Sequence, residues 1–404
     1  MEAGLPSVDA FARALKLSPG DAGIIKGLAA ALIAEERSDD AIAGLEEVVR
    51  RFPLWVEGHT LLAELRWANG ERADFTKSFD EALQQHPDSL LLRTEQMAVL
   101  IEAERFEEVL AKVVSGRLAV GSHPAFLNFE AVAQSETGDA KSADLSFSKI
   151  ERFESASTDI RFIRHLLRTG RADQSIPIID HWLQTPERQI FWPSAATAWR
   201  LTGDERSEWL EGDDRLVGVY DIIDDLPPLQ RLSEVVRNIH KLRGQMLAQS
   251  VRGGTQTDGH LLQRIEPEIV ELRAALKRVV TRHIENLPSL DPHHPSAREQ
   301  STPIRFSGAW SVRLMGGGRH TNHVHPMGWL SSALYLALPP DVGGEENAGW
   351  LTIGEPDATL GLDLQPRRMI EPKPGRLALF PSWMWHGTRP FGAGERLTVA
   401  FDVA

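Results

Sequence analysis

The sequence of 404 residues has no cysteine, only two tyrosines and no long apolar run. The absence of cysteine excludes disulfides, cysteine-bound zinc, iron–sulfur clusters and thiol nucleophiles. No segment approaches the roughly 18–20 apolar residues that span a bilayer. Residues 1–19 lack the basic and apolar regions of a secretory signal. Together these absences predict a cytoplasmic protein with no membrane partner.

An excess of positive charge is also missing. The formal net charge is −13, and it arises in the first part of the chain: residues 1–250 carry 41 acidic and 28 basic side chains, whereas residues 251–404 carry 16 of each. This distribution disfavours nucleic acid and anionic membranes as main partners. The composition is otherwise that of a globular protein, and the length suggests two or three domains.

The first part of the chain is repetitive. Pro19, Pro53 and Pro87 are 34 residues apart, and a looser copy begins at Pro124. Each proline precedes an apolar helical segment, a polar turn and a second helical segment. This period resembles the tetratricopeptide repeat, which implies hairpins stacked into a solenoid with a concave groove. We assign residues 1–210 to this predicted helical domain.

A connecting segment is predicted over residues 211–290. Its start is acidic and ends at Pro227-Pro228, a pattern typical of a domain boundary. Predicted helices over residues 229–248 and about 265–285 flank a Gly-rich polar loop. After Pro288, short β-strand patterns separated by glycine and proline predict a sandwich or barrel. The predicted strands cover residues 310–315, 329–338, 350–354, 368–372, 375–380 and 396–403.

Histidines give the densest chemical signal. His323 and His325 are two residues apart, so on a strand both side chains point to one face and can reach one metal ion. His386 follows a later predicted strand and is a candidate third ligand. Arg396 and Thr398 share one face of the last predicted strand.

The order of these residues resembles that in the double-stranded β-helix oxygenases that bind Fe(II) and 2-oxoglutarate. Residues 310–339 and 372–403 are similar to bacterial oxygenases of this kind that often follow tetratricopeptide repeats, and residues 251–261 look like theirs too. The resemblance implies an α+β multidomain protein. A helical repeat solenoid would precede a jelly-roll oxygenase domain over residues 291–404.

The resemblance also implies roles for individual residues. His323 and His386 match metal ligands, and His325 stands where the family has Asp or Glu. The site therefore either has three histidines or takes its third ligand from elsewhere. Arg396 matches the residue that binds the far carboxylate of 2-oxoglutarate, for which its planar fork is suited. Thr398 and Tyr335 are candidate hydroxyl donors to the same carboxylate.

Further residues are candidates for contacts around the metal or with the substrate: His320, Asn322, Arg313, Trp329, Trp383, Thr255, Gln256 and Thr257. Each also has a structural interpretation. His320 is a ligand, a neighbour of the ligands or a solvated loop residue, and Arg313 is a substrate clamp or an ion-pair partner. The tryptophans belong to the core or face the substrate. The loop from Arg252 to Thr257 is a plain connection or a lid over the site.

The leading functional hypothesis is a dioxygenase that uses O2 and converts 2-oxoglutarate to succinate and CO2 while it hydroxylates a peptide or protein side chain. The repeats would present that substrate, although dimerisation or packing against the oxygenase domain is an alternative use. Two alternatives for the whole chain remain open. One is a cupin-like three-histidine dioxygenase that does not use 2-oxoglutarate, and the other is a repeat adaptor with an inactive barrel.

Overall fold

Helices fill the first part of the chain in the computed structural model, which describes residues 3–298, 302–340, 342–344 and 347–404. Consecutive helices are in contact with one another. In chain order they are α1 (Val8–Leu17), α2 (Ala22–Ala34), α3 (Ser38–Arg51), α4 (Val56–Asn69), α5 (Lys77–Gln85), α6 (Leu90–Glu102), α7 (Phe106–Val120), α8 (Ala125–Glu136) and α9 (Ala140–Phe147).

The repeat prolines mark the hairpins as predicted. Pro19, Pro53, Pro87 and Pro124 stand just before α2, α4, α6 and α8, and each of these helices is followed by its partner after a short turn. The turn after α4 shows why the chain reverses there. Gly70 adopts a left-handed conformation with φ +97°, which ends the helix and which side chains with a Cβ atom disfavour. The helical repeat architecture is confirmed.

The chain divides into two compact units. One contains residues 5–154 and 241–249, and the other contains residues 155–240 and 250–404. The predicted boundaries after residues 210 and 290 both fall inside the second unit. The predicted three-part organisation therefore does not coincide with these units, and it stays a prediction about how parts of the chain fold.

The second unit begins with helices and continues into strands. Its α-helices are α10 (Ala156–Arg168), α11 (Ala172–Trp182), α12 (Trp192–Thr202), α13 (Arg206–Glu211), α14 (Leu229–Ile239) and α15 (Pro267–Asn286). Its strands are β1 (Gly218–Asp221), β2 (Val251–Gln256), β3 (Phe306–His320), β4 (Leu330–Ala337), β5 (Leu351–Ile353), β6 (Arg368–Ile370), β7 (Arg376–Pro381), β8 (His386–Thr388) and β9 (Glu395–Val403).

The strands form two antiparallel sheets, which confirms the double-stranded β-helix. The larger sheet has the order β1-β7-β4-β9-β3-β2, and the smaller has the order β6-β5-β8. Strand β9 lies between β3 and β4, with Arg396 opposite Leu314 and Thr398 opposite Tyr335. The last strand of the chain is therefore central in the larger sheet.

One face of the larger sheet is covered by helices α14 and α15. Leu397, Val399 and Phe401 alternate along β9 toward this face and are fully buried, together with Leu334 of β4 and Leu276 of α15. Because side chains alternate across a strand, the intervening residues of β9 point the other way. That second face contains the polar groups described below.

Helices α10 to α13 pack around the smaller sheet and its loops. Trp182 and Trp199 share a core with Ile353 and Phe380 of the barrel. The indole N–H of Trp385, next to the predicted ligand His386, donates to the Pro193 carbonyl at 3.1 Å. Residues that the sequence assigns to the repeats thus form part of the oxygenase unit.

Three segments differ from the sequence-based prediction. Residues 218–221, predicted as part of a boundary, form β1 and pair with β7. Helix α14 ends at Ile239 rather than near Ala248, because His240 adopts an extended conformation and residues 241–249 belong to the first unit. The segment predicted as a loop from Arg252 to Thr257 is mostly β2, an edge strand paired with β3.

Among the residues that the structure describes, no helix is both long and apolar enough to cross a membrane.

We expect Leu334→Ala to lower the free energy of unfolding of the second unit by about 2–5 kcal/mol, because it removes a fully buried side chain from the interface between sheet and helix. Urea unfolding followed by tryptophan fluorescence measures this change. The matched control is Met315→Ala on β3, where the side chain is 48% exposed and the expected change is within about 0.5 kcal/mol. Equal effects of the two substitutions would contradict the proposed core.

Candidate active site

A small cavity of about 40 Å³ opens on the second face of the larger sheet. Its lining combines imidazoles, one guanidinium, hydroxyls and apolar walls: Trp310, Val312, His320, His323, His325, Ser332, Ala333, Leu351, Phe380, His386, Gly387, Thr388, Arg396, Thr398 and Ala400. Among the described residues that line it there is no Asp or Glu. The described lining therefore combines nitrogen donors with one guanidinium and no acidic partner.

Three of these histidines form a cluster that fits a metal ion. One nitrogen each from His323, His325 and His386 lies within 4.8 Å of the other two. The cluster does not depend on a shared strand, as the sequence had suggested, because β3 ends at His320. His323 instead forms a two-way backbone bridge with His386, with both N–H···O distances 2.9 Å.

Hydrogen bonds from Nδ1 fix the orientation of the three imidazole rings. His323 Nδ1 donates to the Thr321 carbonyl at 2.8 Å, and His386 Nδ1 donates to the Met384 carbonyl at 3.0 Å. His325 Nδ1 donates to Asp402 Oδ1 at 2.9 Å. A neutral ring that donates from Nδ1 keeps a lone pair on Nε2. Each ring therefore offers Nε2 as its metal ligand.

Burial keeps the imidazoles in the form that binds metals. It lowers the pKa of His323 to about 3, and the neighbouring His325 adds to this effect. Burial also moves the pKa of His386 well below its usual range, with His323 as the next cause. Neutral imidazole is the metal-binding form. Near neutral pH, protons therefore do not compete for these two ligands.

Arg396 brings a buried positive charge into the same cavity. Its side chain is 2% exposed, and no carboxylate among the described residues pairs with it. Its Nε has no hydrogen-bond partner, and its Cζ lies 5.1 Å from the centre of the Tyr335 ring. Burial lowers the pKa of Arg396. An unpaired buried cation is costly, so this position favours an anionic ligand.

Two hydroxyls stand near this guanidinium. The Tyr335 hydroxyl is buried beside Arg396, and burial raises the pKa of this group, so it remains a neutral donor. Thr398 lines the cavity and makes only a long contact of 3.4 Å to the Val312 carbonyl. Arg396, Tyr335 and Thr398 thus offer donors suited to one carboxylate, although Tyr335 lies behind the residues that line the cavity.

His320 and Asn322 lie next to the cluster without joining it. His320 lines the cavity, and its ring stacks on His323 at 5.7 Å, but it is not among the three clustered ligands. Asn322 was predicted to support an imidazole. It instead donates to the Pro356 carbonyl at 3.1 Å and accepts from Thr352 at 3.3 Å, so it anchors the segment that contains His323.

Arg313, Trp329 and Trp383 lie away from the cavity, contrary to the interpretation that they face substrate. Arg313 lies on the helix-covered side of β3, and its Nε is 2.6 Å from Glu395 Oε1. The indoles of Trp329 and Trp383 donate to the backbone carbonyl and the hydroxyl of Ser296, each at 3.0 Å. These three residues have structural partners.

The residues of the predicted lid also have structural roles. Thr255 Oγ1 lies 2.8 Å from His240 Nδ1, and Thr257 Oγ1 accepts from the Ser311 amide at 2.9 Å. Gln256 pairs with Val312 in the sheet register. Pairing of β2 with β3 satisfies the backbone of this segment, which is the reason that it forms a strand rather than a loop.

Sequence reasoning missed two residues at the site. Asp402 accepts from His325, and the Ser250 hydroxyl lies 3.2 Å from His323 Nε2. The alternation Arg396, Thr398, Ala400, Asp402 contained a signal for Asp402, because these positions share one face of a strand. Nothing local to Ser250 indicated its position, which the pairing of β2 with β3 decides.

Comparisons with known families agree with this geometry. The family described as "Putative 2OG-Fe(II) oxygenase" matches residues 308–402, the segment that carries the histidines and Arg396. A tetratricopeptide repeat family matches residues 8–65. The chain is therefore a 2-oxoglutarate-dependent dioxygenase with a helical repeat region, and its cofactors are Fe(II) and 2-oxoglutarate.

Solved structures with partial similarity come from both classes. A tetratricopeptide repeat protein from Parabacteroides merdae is 15% identical, with a TM-score of 0.34, and the match covers 48% of this chain and 75% of that one. A 2OG-Fe(II) oxygenase family oxidoreductase from Burkholderia pseudomallei is 12% identical, with a TM-score of 0.31 and coverage of 50% and 89%. A Pseudomonas putida prolyl-4-hydroxylase is 13% identical, with a TM-score of 0.29 and coverage of 46% and 91%.

No curated protein matches this chain. The solved structures are too distant to indicate its substrate, so the residues of the oxygenase domain carry the functional argument. These residues fit the cofactors of the family. The three imidazoles form a nitrogen donor set for a divalent metal, and the orphaned Arg396 Nε and Tyr335 hydroxyl suit a carboxylate.

Gly387 allows the close approach of Asn322 to β8, because a Cβ atom at position 387 would overlap Asn322 Oδ1. We expect Gly387→Ala to displace the bridge between His323 and His386 and to weaken Fe(II) binding ~10-fold or more. Anaerobic calorimetric titration measures the affinity. In an Asn322→Ala background the clash is relieved, and the added cost of Gly387→Ala should shrink. An undiminished cost in that background would count against this packing.

Proposed function

We propose that this oxygenase hydroxylates a side chain of a peptide or protein, with Fe(II) held by His323, His325 and His386 and 2-oxoglutarate held by Arg396. The convergence of three Nε2 atoms beside an unpaired buried guanidinium supports this assignment. A metal cluster alone would suit several ions, and a buried arginine alone would suit any anion. Their shared cavity favours a metal ion and a carboxylate cosubstrate bound together.

The imidazoles hold and orient the metal ion. When bound, Fe(II) activates O2 and couples decarboxylation of 2-oxoglutarate to succinate and CO2 with insertion of one oxygen atom into a substrate C–H bond. The bridge between His323 and His386 keeps two rings at a fixed spacing, with centroids 4.2 Å apart. His323, His325 and His386 would supply three ligands to the ion, and its remaining positions would be available to the cosubstrate and O2, as oxygenases of this class require.

Arg396 provides the anchor for the cosubstrate. Its guanidinium can form two parallel hydrogen bonds to a carboxylate, and the low polarity of the surroundings strengthens them. The Tyr335 and Thr398 hydroxyls can each add one donor. Cosubstrate binding would also supply the negative charge that the lining of the cavity lacks.

Apolar side chains form part of the walls of the site. Phe380 packs against His386 with ring centroids 4.7 Å apart, and Leu351 and Val312 close the sides. Exclusion of water strengthens electrostatic interactions and protects reactive species from side reactions. The same walls leave little space, so the substrate side chain would enter by a narrow path.

A polypeptide substrate is favoured by the helical repeats. Stacked helical hairpins form extended surfaces that bind peptides and proteins, and residues 8–65 match a tetratricopeptide repeat family. The link between repeats and substrate is an argument from architecture. Arg396 disfavours the alternative of a three-histidine dioxygenase without 2-oxoglutarate, because such an enzyme has no use for a buried carboxylate anchor.

The cofactor assignment predicts a ternary complex. Anaerobic addition of Fe(II) and 2-oxoglutarate should produce a visible charge-transfer band that requires both components. His386→Ala should abolish the band by removing a metal ligand. Arg396→Met should leave Fe(II) binding in place and weaken 2-oxoglutarate binding about 10- to 100-fold, equivalent to ~1.5–3 kcal/mol for hydrogen bonds to a charged group.

Arg313→Gln is the matched control for Arg396→Met. It removes an arginine from the neighbouring strand on the opposite face of the sheet, where Arg313 pairs with Glu395. We expect its 2-oxoglutarate affinity to equal that of the unmodified protein. Fe(II) binding without any response to 2-oxoglutarate would favour the three-histidine dioxygenase, and absence of Fe(II) binding would favour the adaptor.

The substrate assignment predicts that peptides stimulate turnover. Full-length protein loaded with Fe(II) should release succinate faster with a suitable peptide from a library, and that peptide should gain the mass of one oxygen atom. His386→Ala protein should give neither signal. If the repeats hold the peptide, its KM should be far below that of the corresponding free amino acid. Equal KM values for peptide and free amino acid would contradict a role for the repeats.

A further inference from the structure

We infer that Asp402 supplies, through the ring of His325, the negative charge that a carboxylate ligand would otherwise bring to the metal. This inference rests on the proposed function of the histidine cluster. It assigns Asp402 a positioning and electrostatic role, since its carboxylate contacts a ligand rather than the metal. The observations that carry it are hydrogen bonds, sheet register and the distribution of charge around the cavity.

The contact between Asp402 and His325 is direct and supported. Asp402 Oδ1 accepts from His325 Nδ1 at 2.9 Å and from the Ser331 hydroxyl at 2.6 Å. Ser331 lies opposite Asp402 in the register of β4 and β9, so the sheet itself holds this pair. The Asp402 side chain is only 16% exposed. The carboxylate is therefore held at the Nδ1 edge of the His325 ring.

The three ligands differ in what their Nδ1 atoms contact. His323 and His386 donate to backbone carbonyls, which are neutral, whereas His325 donates to a carboxylate. A carboxylate partner raises the basicity of a ligating imidazole and fixes its orientation. His325 is thus the ring of the three with an anionic partner, and it occupies the position where the resemblance to the family expects Asp or Glu.

The charges around the cavity indicate what the contact between Asp402 and His325 does. Three neutral imidazoles leave the charge of a divalent metal uncancelled, and Arg396 adds another positive charge nearby. The described residues that line the cavity include no acid. Asp402 places one negative charge on the far side of a ligand, close enough to stabilise the metal without occupying one of its coordination positions.

Asp402→Asn separates charge from geometry, because asparagine keeps an acceptor oxygen of the same shape. We expect it to weaken Fe(II) affinity ~10–100-fold, measured anaerobically by competition with a chelator. The matched control is Glu395→Gln, which removes a partly buried carboxylate from the other end of β9, where it pairs with Arg237 and Arg313. This control should bind Fe(II) like the unmodified protein. Thermal unfolding of the metal-free proteins checks that both variants fold.

A second background tests whether the effect passes through His325. His325→Asp installs a carboxylate at the ligand position itself and removes the Nδ1–H that donates to Asp402. In that background Asp402→Asn should cost much less Fe(II) affinity than it does beside His325. The smaller loss is expected because Asp402 then has no ligand ring to orient, and the new carboxylate supplies the negative charge directly.

Two outcomes would overturn the inference while leaving the proposed function intact. One is unchanged Fe(II) affinity in Asp402→Asn, which would mean that the acceptor geometry is sufficient. The other is an equal loss of affinity in both backgrounds, which would mean that Asp402 acts on the fold and not through His325. Failure of the unmodified protein to bind Fe(II) would refute the proposed function, and the inference with it.

Discussion

The two-residue alternation of β9 is the constraint on which the rest of the oxygenase unit depends. One set of its side chains, Leu397, Val399 and Phe401, is buried against helices α14 and α15. The other set includes Arg396 and Asp402. A shift of one residue in the pairing with β3 and β4 would exchange the two sets. Burial of the apolar set therefore fixes where the charged groups stand.

The electrostatics of the cavity favour binding of a metal ion and an anion. Burial disfavours protonation of His323 and His386, so their lone pairs remain available, and it also leaves Nε of Arg396 without a hydrogen-bond partner. An isolated charge in such surroundings is costly, and a bound anion relieves the cost. Apolar packing on the helix-covered face of the sheet stabilises the unit. This stabilisation offsets the cost of burying polar groups in the cavity on the other face.

Helices α10 to α13 have a role in the oxygenase unit that their position in the chain does not reveal. Arg164 of α10 pairs with Asp357 at 3.0 Å, and the guanidinium of Arg200 in α12 binds the Gly354 and Gln365 carbonyls. These contacts hold the loops of the smaller sheet. His386 is the first residue of β8 in that sheet. The helices resemble repeat hairpins in sequence because both bury one apolar stripe, and the amphipathic pattern does not say against which partner.

The sequence by itself determined the local features. Proline spacing predicted the repeat hairpins, short patterns between glycine and proline clusters predicted most strands, and the family resemblance carried by His323, His325, His386 and Arg396 implied the chemistry. Such signals are local because each depends on residues a few positions apart or on the order of motifs.

Tertiary structure decided which distant residues meet. It formed strands from residues 218–221 and 251–256, which have little strand character of their own until β7 and β3 provide hydrogen-bond partners. It removed Arg313, Trp329 and Trp383 from the site by giving them other partners, and it joined Asp402 to His325 across 77 residues of chain. These outcomes follow from sheet register and side-chain packing, which arise only when the whole unit is assembled.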